Sequence, residues 1–129
     1  MIENSHINLL DCTLRDGGYY NSWDFDHSIV SNYLKELSES KVDVIELGFR
    51  FLPKDKFLGP FAYTTDLFLE TLNLPEDIKY GVMINAAEYL STEDPVKAIK
   101  KYFNHSNKSK ISLVRVAINF DDFSQAKIL

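Results

Sequence analysis

The amino-acid sequence predicts an α/β fold built from four consecutive βα units with parallel strands. Short apolar segments alternate with longer amphipathic segments along the chain, and this alternation is typical of parallel strands connected by helical crossovers. Strands are predicted to start near positions 7, 42, 80 and 111, so a unit recurs about every 35 residues. No linker-like or low-complexity tract divides residues 1–129, which are therefore predicted to form a single domain.

Four apolar runs are the predicted strands, and they cover residues 7–10, 42–49, 80–85 and 111–119. Side chains alternate across a strand, so Glu46 shares a face with Val44 and Gly48, whereas Phe49 lies on the opposite face. Parallel strands are usually buried on both faces, and the charged residues Glu46 and Arg115 therefore need partners. Either the two residues form a structural ion pair, or Glu46 belongs to a ligand-binding site at the carboxyl ends of the strands.

Helical periodicity follows each predicted strand. The helical patterns cover 29–37, 66–72, 95–103 and a final stretch that runs to residue 129. Their starts are marked by residues that favour helix N-caps. The candidate N-caps are Asp24 or Asp26 for the first pattern, Asp94 for the third, and Asp121 or Asp122 for the last.

The repeat length leaves two architectures open. A (β/α)₈ barrel of about 250 residues uses about 31 residues per unit. Four units in 129 residues therefore correspond to the amino-terminal half of a TIM barrel. They also fit a complete small open α/β domain, and length alone does not decide between the two.

Composition and charge exclude several classes of function. The chain has 14 basic and 19 acidic residues and a net charge of −5, which is unfavourable for binding nucleic acid or an anionic membrane surface. Its single cysteine, Cys12, excludes a disulfide framework and a cysteine-built zinc site. No apolar stretch approaches the roughly 18 residues of a membrane helix, and residues 1–4 lack the features of a signal peptide. These features predict a soluble protein of the cytoplasm.

The candidate catalytic chemistry lies directly after the first predicted strand, in the segment Asp11-Cys12-Thr13-Leu14-Arg15-Asp16-Gly17-Gly18. The glycine pair predicts a tight turn that places Arg15 and Asp16 at the carboxyl end of the strand. Asp16 offers a hard oxygen ligand for a divalent cation, and Arg15 offers a permanently charged donor for an enolate or a carboxylate. Glu46, in the adjacent strand, is placed to orient that guanidinium group. The alternative is an ordinary surface turn that carries a charge pair.

The longer pattern Asp11-x-Thr13-Leu14-Arg15-Asp16-Gly17, followed in the next strand by Ile45-Glu46-Leu47-Gly48, resembles the DRE-TIM superfamily of metal-dependent aldolases and lyases. The run Val114-Arg115-Val116-Ala117 is similar to the fourth strand of the 4-hydroxy-2-oxovalerate aldolases. The resemblance implies a (β/α)₈ barrel that binds Mg²⁺ or Mn²⁺, holds a 2-oxo acid or thioester, and stabilises the enolate formed when a carbon–carbon bond breaks or forms. It implies that Asp16 is a metal ligand, that Arg15 stabilises the enolate oxygen, and that Glu46 positions Arg15.

The sequence departs from the superfamily pattern in the residues that complete the active site. The superfamily supplies its remaining metal ligands as a His-x-His pair on a late strand, and the histidines His6, His27 and His105 form no such pair. The chain is therefore expected to be an amino-terminal half, with the missing ligands in a carboxyl-terminal half. The parent protein is expected to be a metal-dependent aldolase or lyase, and this chain alone is expected to be inactive. Tyr19 stands where the 4-hydroxy-2-oxovalerate aldolases carry a catalytic histidine, and it is a candidate acid or base.

Polar residues of the third and fourth predicted strands are the candidate substrate-binding residues. They are Arg115, Asn85 and Asn119, of which Asn119 stands where the aldolases have a histidine. Aromatic residues after the motif either line a pocket or seal the rim of a barrel, and they are Tyr20, Trp23 and Phe25. The long loop over 49–61 either forms a substrate lid or is a simple connection.

Two alternatives to an enzyme remain open at this point. The first is a catalytically silent half-barrel that self-associates into a homo-oligomer, because four parallel strands leave two edges and an inner face uncovered. The second is a small open α/β domain that binds an anion or a nucleotide. The sequence contains neither a Gly-x-Gly-x-x-Gly motif nor a P-loop, which disfavours the second alternative.

Overall fold

A computed structural model describes residues 7–129 of the chain. Within this range, four strands form one sheet in the order β1-β2-β3-β4. They are β1 (Leu10–Asp11), β2 (Val44–Phe49), β3 (Lys79–Asn85) and β4 (Ile111–Ala117). Each neighbouring pair is parallel, and helical segments connect consecutive strands. The predicted α/β fold with four consecutive βα units is confirmed.

The order of the strands distinguishes between the two architectures that the repeat length leaves open. A doubly wound open sheet reverses its strand order at a switch point, whereas neighbouring strands of a (β/α)₈ barrel follow one another in sequence. The four strands of this sheet follow the sequence order throughout. The arrangement is therefore that of the first four units of a TIM barrel.

Five α-helices and three 3₁₀ segments accompany the strands within residues 7–129, and the last 3₁₀ segment follows β4. The α-helices are α1 (Thr13–Asn21), α2 (His27–Glu39), α3 (Asp66–Leu69), α4 (Ala86–Leu90) and α5 (Pro95–Tyr102). The 3₁₀ segments are Pro60–Ala62, Ser106–Lys108 and Phe120–Ile128. The helices predicted over 29–37 and from residue 95 correspond to α2 and α5.

Capping side chains fix the starts of α2 and α5. Asp26, and not Asp24, is the N-cap of α2, and its carboxylate accepts hydrogen bonds from the backbone N–H groups of Ser28 at 2.8 Å and Ile29 at 3.2 Å. Asp94 caps α5 in the same way. Both helices therefore begin where a carboxylate satisfies the free N–H groups of the first turn.

The structure corrects two of the predicted helices. The helix predicted over 66–72 is the single-turn α3, capped by the Thr65 hydroxyl. The helix predicted to begin at Asp121 or Asp122 is instead a 3₁₀ segment whose N-cap position is Asn119, without a capping bond from its side chain. Both aspartates lie inside the first turn, where a carboxylate favours the helix dipole but does not cap the chain.

The first strand is shorter than predicted and lies further along the chain than 7–10. Backbone contact with the next strand begins at Leu9, whose carbonyl accepts from the N–H groups of Asp43 at 3.0 Å and Val44 at 3.1 Å. Only Leu10–Asp11 then pair as a strand with β2. The second strand begins at 44 rather than 42, the third at 79 rather than 80, and the fourth ends at 117 rather than 119.

A bulge in β2 changes which side chains share a face. Consecutive residues of β3 pair with Glu46 and Gly48, so Leu47 is an additional residue in β2. The bulge reverses the alternation of side chains, and Phe49 lies on the same face as Glu46 rather than on the opposite face. Accordingly, the Arg15 guanidinium group both binds Glu46 and lies over the Phe49 ring.

The hydrophobic core lies between the sheet and its connecting segments. Val30 and Leu34 of α2 are buried in one cluster with Ile45 and Val82 of the sheet. These α2 positions are one helical turn apart, as expected for the buried stripe of an amphipathic helix. This buried stripe attaches α2 to the strands.

In the part of the chain that the structure describes, every helix is too short or too polar to cross a bilayer. Residues 1–4, on which the prediction that the chain has no signal peptide depends, lie outside the described residues, as does His6.

Candidate active site at the carboxyl ends of the strands

The motif after the first strand lies in the first turns of α1. Asp11, the last residue of β1, accepts hydrogen bonds from the backbone N–H of Thr13 at 3.1 Å and from its hydroxyl at 2.9 Å. The hydroxyl of Tyr33 on α2 also donates to Asp11, at 2.9 Å. These bonds fix the start of α1, and Arg15 and Asp16 project from its first turn.

The glycine pair lies inside α1, so the predicted tight turn is wrong. Neither glycine has a positive φ. A Cβ on Gly18 would lie 1.9 Å from Cδ1 of Trp23, because the indole packs directly against the helix at this position. A Cβ on Gly17 would meet only the ring of Phe25, at 4.0 Å. The glycine at 18 is therefore required by packing rather than by a turn.

Glu46 is the centre of a charge cluster on this side of the sheet. Its buried carboxylate binds two arginines. Arg15 donates from Nε to Oε1 at 2.8 Å, and Arg115 donates from Nε to Oε2 at 2.6 Å and from Nη2 to Oε1 at 2.8 Å. Arg15 also donates from Nη1 to Oδ1 of Asp16 at 2.9 Å. Glu46 thus forms the predicted ion pair with Arg115, and the same carboxylate also binds Arg15. The alternative that Glu46 belongs to a ligand site stays a prediction.

The two guanidinium groups determine the ionisation of Glu46. Burial alone would raise the pKa of this carboxyl group, but the hydrogen bonds and charges of Arg115 and Arg15 outweigh burial and hold the pKa below its ordinary value of 4.5. The carboxylate is therefore charged at neutral pH. Its hydrogen bond raises the pKa of Arg115, and the pKa of Arg15 is also raised because its contacts with Glu46 outweigh burial.

Each arginine has one terminal nitrogen outside these hydrogen bonds. Within residues 7–129, Nη2 of Arg15 and Nη1 of Arg115 have no hydrogen-bond partner, because Glu46 and Asp16 engage the other nitrogens. The Arg115 side chain is 40% exposed and the Arg15 side chain is 14% exposed. A guanidinium group whose other edge is held by a carboxylate is preorganised to bind a carboxylate or an enolate oxygen.

Asp16 supplies a carboxylate to this face but not a complete metal site. Its side chain is exposed, and one of its oxygens accepts from Arg15. Residues 7–129 contain no group of three His, Cys, Asp or Glu side chains that is arranged to hold a metal ion. Mg²⁺ and Mn²⁺ take an octahedral set of mainly oxygen ligands. Asp16 therefore fits as one ligand, and the described residues do not fit a whole Mg²⁺ or Mn²⁺ site.

Tyr19 lies on α1 beside a group of aromatic rings. It is exposed, and its ring meets those of Trp23 and Phe49 edge to face, with centroid distances of 4.8 and 6.0 Å. Its role as acid or base stays a prediction.

The aromatic residues that were predicted to line a pocket or seal a rim differ in their surroundings: Trp23 is buried, Phe25 packs on the buried Phe61, and Tyr20 is exposed.

Asn85 and Asn119 line one small cavity of about 260 Å³ at the carboxyl ends of β3 and β4. Asn85 pairs with Ala117, two residues beyond the pairing of Met83 with Arg115. The cavity therefore lies beyond Arg115, toward the carboxyl ends of these two strands. The side-chain oxygen Oδ1 of Asn85 accepts from the backbone N–H of Ala87 in α4 at 3.1 Å, and its NH₂ group has no hydrogen-bond partner among residues 7–129. Substrate binding by these residues and by Arg115 stays a prediction.

The loop after β2 is attached near both of its ends. Glu88 on α4 accepts from the backbone N–H of Leu52 at 3.0 Å and forms an ion pair with Lys54. At the other end, the backbone N–H of Gly59 donates to the carbonyl of Ser22 at 2.7 Å. These contacts favour a fixed connection over a freely moving lid.

The sequence analysis missed the contribution of Phe49 to this site. The signal was Gly48, because a glycine inside a strand is typical of a bulge or of a close backbone approach. Both apply here: a Cβ on Gly48 would lie 1.9 Å from the carbonyl oxygen of Phe61, and the register shifts next to it.

Comparisons with known proteins support an aldolase-like fold. No protein-family model matches the chain, and no curated protein matches it. Among solved structures, the chain is similar to the crystal structure of the "N-terminal domain of a putative aldolase from Bacteroides vulgatus", with 31% sequence identity and a TM-score of 0.80 over 95% of this chain. The chain spans 39% of the length of that solved chain. The similarity does not identify an aldolase subfamily.

Proposed function

We propose that the chain forms the amino-terminal part of an aldolase or lyase that makes or breaks a carbon–carbon bond of a 2-oxo acid. The observation that carries this proposal is the pair of arginines held by the buried Glu46 carboxylate at the carboxyl ends of parallel strands, where α/β enzymes bind their ligands. The similarity to a solved domain described as part of an aldolase supports the same class. The motif formed by Arg15, Asp16 and Glu46, which resembles the DRE-TIM superfamily, supports it independently.

In this proposal the two arginines have different roles. Nη1 of Arg115 donates to the carboxylate of the 2-oxo acid. Nη2 of Arg15 donates to the 2-oxo oxygen, which becomes negative when the electron pair of the broken carbon–carbon bond forms an enolate. Glu46 holds both guanidinium planes in advance, so the site needs little reorganisation during the reaction. Tyr19 is the candidate that exchanges a proton with the substrate.

The adjacent cavity provides further polar contacts for the same substrate. We assign Asn85 and Asn119 to substrate binding because both line the cavity at the ends of β3 and β4. We propose a cytoplasmic location, where a single free thiol such as that of Cys12 stays reduced. Small organic acids, rather than nucleic acids or membranes, are the proposed ligands of this acidic chain.

We further propose that Mg²⁺ or Mn²⁺ binds at Asp16 only together with ligands from outside the described residues. Asp16 is exposed on the same side as the charge cluster, and a carboxylate oxygen suits either ion. A carboxyl-terminal half, or a second copy of the chain in a homo-oligomer, would supply the other ligands. When bound, the ion would polarise the 2-oxo group by drawing electron density toward itself.

The test is an activity assay of the full-length protein, of which this chain would be the amino-terminal part, with Mn²⁺ and a series of 4-hydroxy-2-oxo acids. Release of the shorter 2-oxo acid is measured. We expect Arg15→Gln to lower kcat by about 100-fold, the usual effect of removing one oxyanion donor, and Arg115→Gln to raise KM. Lys35→Gln removes an exposed charge from α2 and serves as the control with unchanged activity. Failure of the protein to cleave any of these acids would refute the proposed reaction, and unchanged turnover in Asp16→Ala would refute the metal role.

The second candidate is a catalytically silent half-barrel that self-associates. The observation that favours it is the exposure of Val114 and Val116 on β4, the strand at one edge of the described sheet. Apolar side chains on an edge strand are a typical surface for pairing with another chain. A small open α/β binding domain is less favoured, because the strand order lacks the switch point at which such domains bind ligands.

A further inference from the structure

We infer that Trp23 is a positioning residue that holds Arg15 in place, and this inference rests on the function proposed for Arg15. The buried indole donates from Nε1 to the backbone carbonyl oxygen of Arg15 at 2.9 Å. That carbonyl belongs to the first turn of α1, the same turn from which the guanidinium group reaches Glu46. A bond at this point fixes the helical turn that aims the side chain.

The indole of Trp23 is enclosed between α1 and the sheet. On the helix side, it fills the space that a Cβ on Gly18 would take, with Cδ1 and Nε1 at 1.9 and 2.2 Å from that position. On the sheet side, it meets Phe49 of β2 edge to face at 5.5 Å and Phe51 at 5.6 Å. Trp23 therefore sets the separation between α1 and β2, the two elements that carry the ion pair between Arg15 and the buried carboxylate.

The backbone at Trp23 is held in an unfavourable conformation. Ser22 and Trp23 have φ values of 58° and 57°, in the left-handed region that residues with a Cβ seldom adopt. Gly59 stabilises this conformation: its N–H donates to the Ser22 carbonyl at 2.7 Å, and a Cβ there would lie 2.3 Å from the Trp23 carbonyl oxygen. A strained conformation that the surrounding structure maintains beside a candidate site is consistent with a positional role.

Within the charge cluster, Arg115 is an internal control for this inference. Arg15 and Arg115 both donate from Nε to the carboxylate of Glu46, but they reach it from α1 and from β4 respectively. The indole bond of Trp23 is made to Arg15. Loss of the bond should therefore loosen one arginine and leave the other in place, whereas a general weakening of the fold would loosen both.

The test measures hydrogen exchange of the two arginine Nε–H groups by NMR in the ¹⁵N-labelled full chain. In Trp23→Phe, which keeps a ring but removes the N–H donor, we expect exchange at Arg15 to become about tenfold faster, as for the loss of one hydrogen bond. Exchange at Arg115 should stay within about twofold. Equal acceleration at both arginines, or no change at Arg15, would overturn the inference.

Two further variants separate the indole bond from its packing. Phe51→Leu removes an aromatic contact of Trp23 but leaves its N–H bond, and both arginines should remain protected. Gly18→Ala keeps the indole but displaces it from the carbonyl, and Arg15 should exchange faster, as in Trp23→Phe. If the variants do not fold, the wild-type chain still decides the matter: an indole N–H that exchanges as fast as free indole in water would overturn the inference.

Kinetics distinguish this inference from the proposed function. In the aldolase assay, Trp23→Phe should lower kcat by about tenfold or more with little change in KM, because Arg15 acts on the reacting atoms whereas Arg115 binds the substrate carboxylate. A wild-type full-length protein without turnover would refute the proposed function and leave the exchange result intact. Selective loosening of Arg15 with unchanged kcat would refute the positioning role of Trp23.

Discussion

Glu46 is the single residue on which the stability of the candidate site depends most. The buried carboxylate of Glu46 forms ion pairs with both Arg15 and Arg115 and so compensates their positive charges. Glu46→Gln keeps the size of the side chain and removes that charge, so we expect the free energy of unfolding to fall by about 2–4 kcal/mol in urea denaturation. The control Glu88→Gln weakens the more exposed ion pair with Lys54 and should cost less than about 1 kcal/mol. Equal losses in the two variants would contradict the prediction.

The lowered pKa of Glu46 predicts a specific dependence of stability on pH. In the folded chain this pKa lies below the ordinary value of 4.5, so folding favours the ionised form. Its contribution to stability is therefore fully present above the unfolded-state pKa and is lost as the pH falls through the folded-state pKa. We expect the difference in free energy of unfolding between wild type and Glu46→Gln to shrink as the pH falls below 4.5. A difference that stays constant between pH 7 and about pH 3 would argue against it.

The motif residues show what a sequence predicts well at this scale. Arg15, Asp16 and Glu46 lie together as expected, because the motif follows one strand and the acid lies in the next, and neighbouring parallel strands end at the same edge of the sheet. Their proximity follows from topology alone. Their roles in a reaction do not follow from topology, and those roles stay predictions.

Arg50 shows what a sequence does not reveal at the same scale. It follows β2 directly and is buried, and its guanidinium group donates to the carbonyls of Thr64 at 2.5 Å and Tyr102 at 3.1 Å. Asp66 is its charged partner. Every residue has a backbone carbonyl, so the sequence does not show which carbonyls will bind an arginine. In the sequence, a buried arginine with such partners therefore looks the same as any arginine in a loop.

The glycines of α1 give a prediction at the scale of a single element. An interior glycine is about 1 kcal/mol less favourable in a helix than alanine. Gly17→Ala adds a Cβ that meets only Phe25 at 4.0 Å, and it should raise the free energy of unfolding by about 0.5–1 kcal/mol. Gly18→Ala forces a Cβ into the indole of Trp23 and should lower the free energy of unfolding by about 1–3 kcal/mol.

Fluorescence provides the second measurement for this pair of variants. Trp23 is the one tryptophan of the chain, so its emission reports on the indole alone. The emission should shift to the red in Gly18→Ala, where the buried indole is displaced, and should stay unchanged in Gly17→Ala. A stabilised Gly18→Ala, or a similar shift in both variants, would show that the space beside Trp23 does not determine the residue at position 18.

The elements that the sequence predicts best are those that begin with a capping carboxylate. Asp26 and Asp94 each cap the helix expected of them, because capping is a local interaction between residues close in sequence. The five-residue α4 was not predicted, since a helix of one or two turns depends on tertiary packing for its stability. The final segment was predicted as a helix but not as a 3₁₀ helix. The glycine pair, expected in a turn, lies in a helix because packing against Trp23 overrides local propensity.

The arrangement of the whole molecule follows from connectivity. Parallel strands require a crossover between them, so the alternation of strand and helix patterns predicts the sheet before any side chain is considered. The sheet in sequence order agrees with this. Whether a larger barrel forms depends on what pairs with the two edge strands of the described sheet, β1 and β4, and on what supplies further ligands beside Asp16. Neither is encoded in the local patterns of residues 1–129.

The exposed apolar residues of β4 test whether this chain associates with itself. Val116 lies on the edge strand of the described sheet and is 42% exposed, whereas Val96 on α5 is 43% exposed, so the two valines differ in position but not in exposure. If β4 pairs with a second chain, Val116→Lys should abolish a concentration-dependent rise in sedimentation coefficient, because a lysine on an edge strand opposes strand pairing. Val96→Lys should leave the rise unchanged. Wild-type protein that stays monomeric from micromolar to millimolar concentration would exclude self-association, and the edge at β4 would then be free for a carboxyl-terminal half of the same protein.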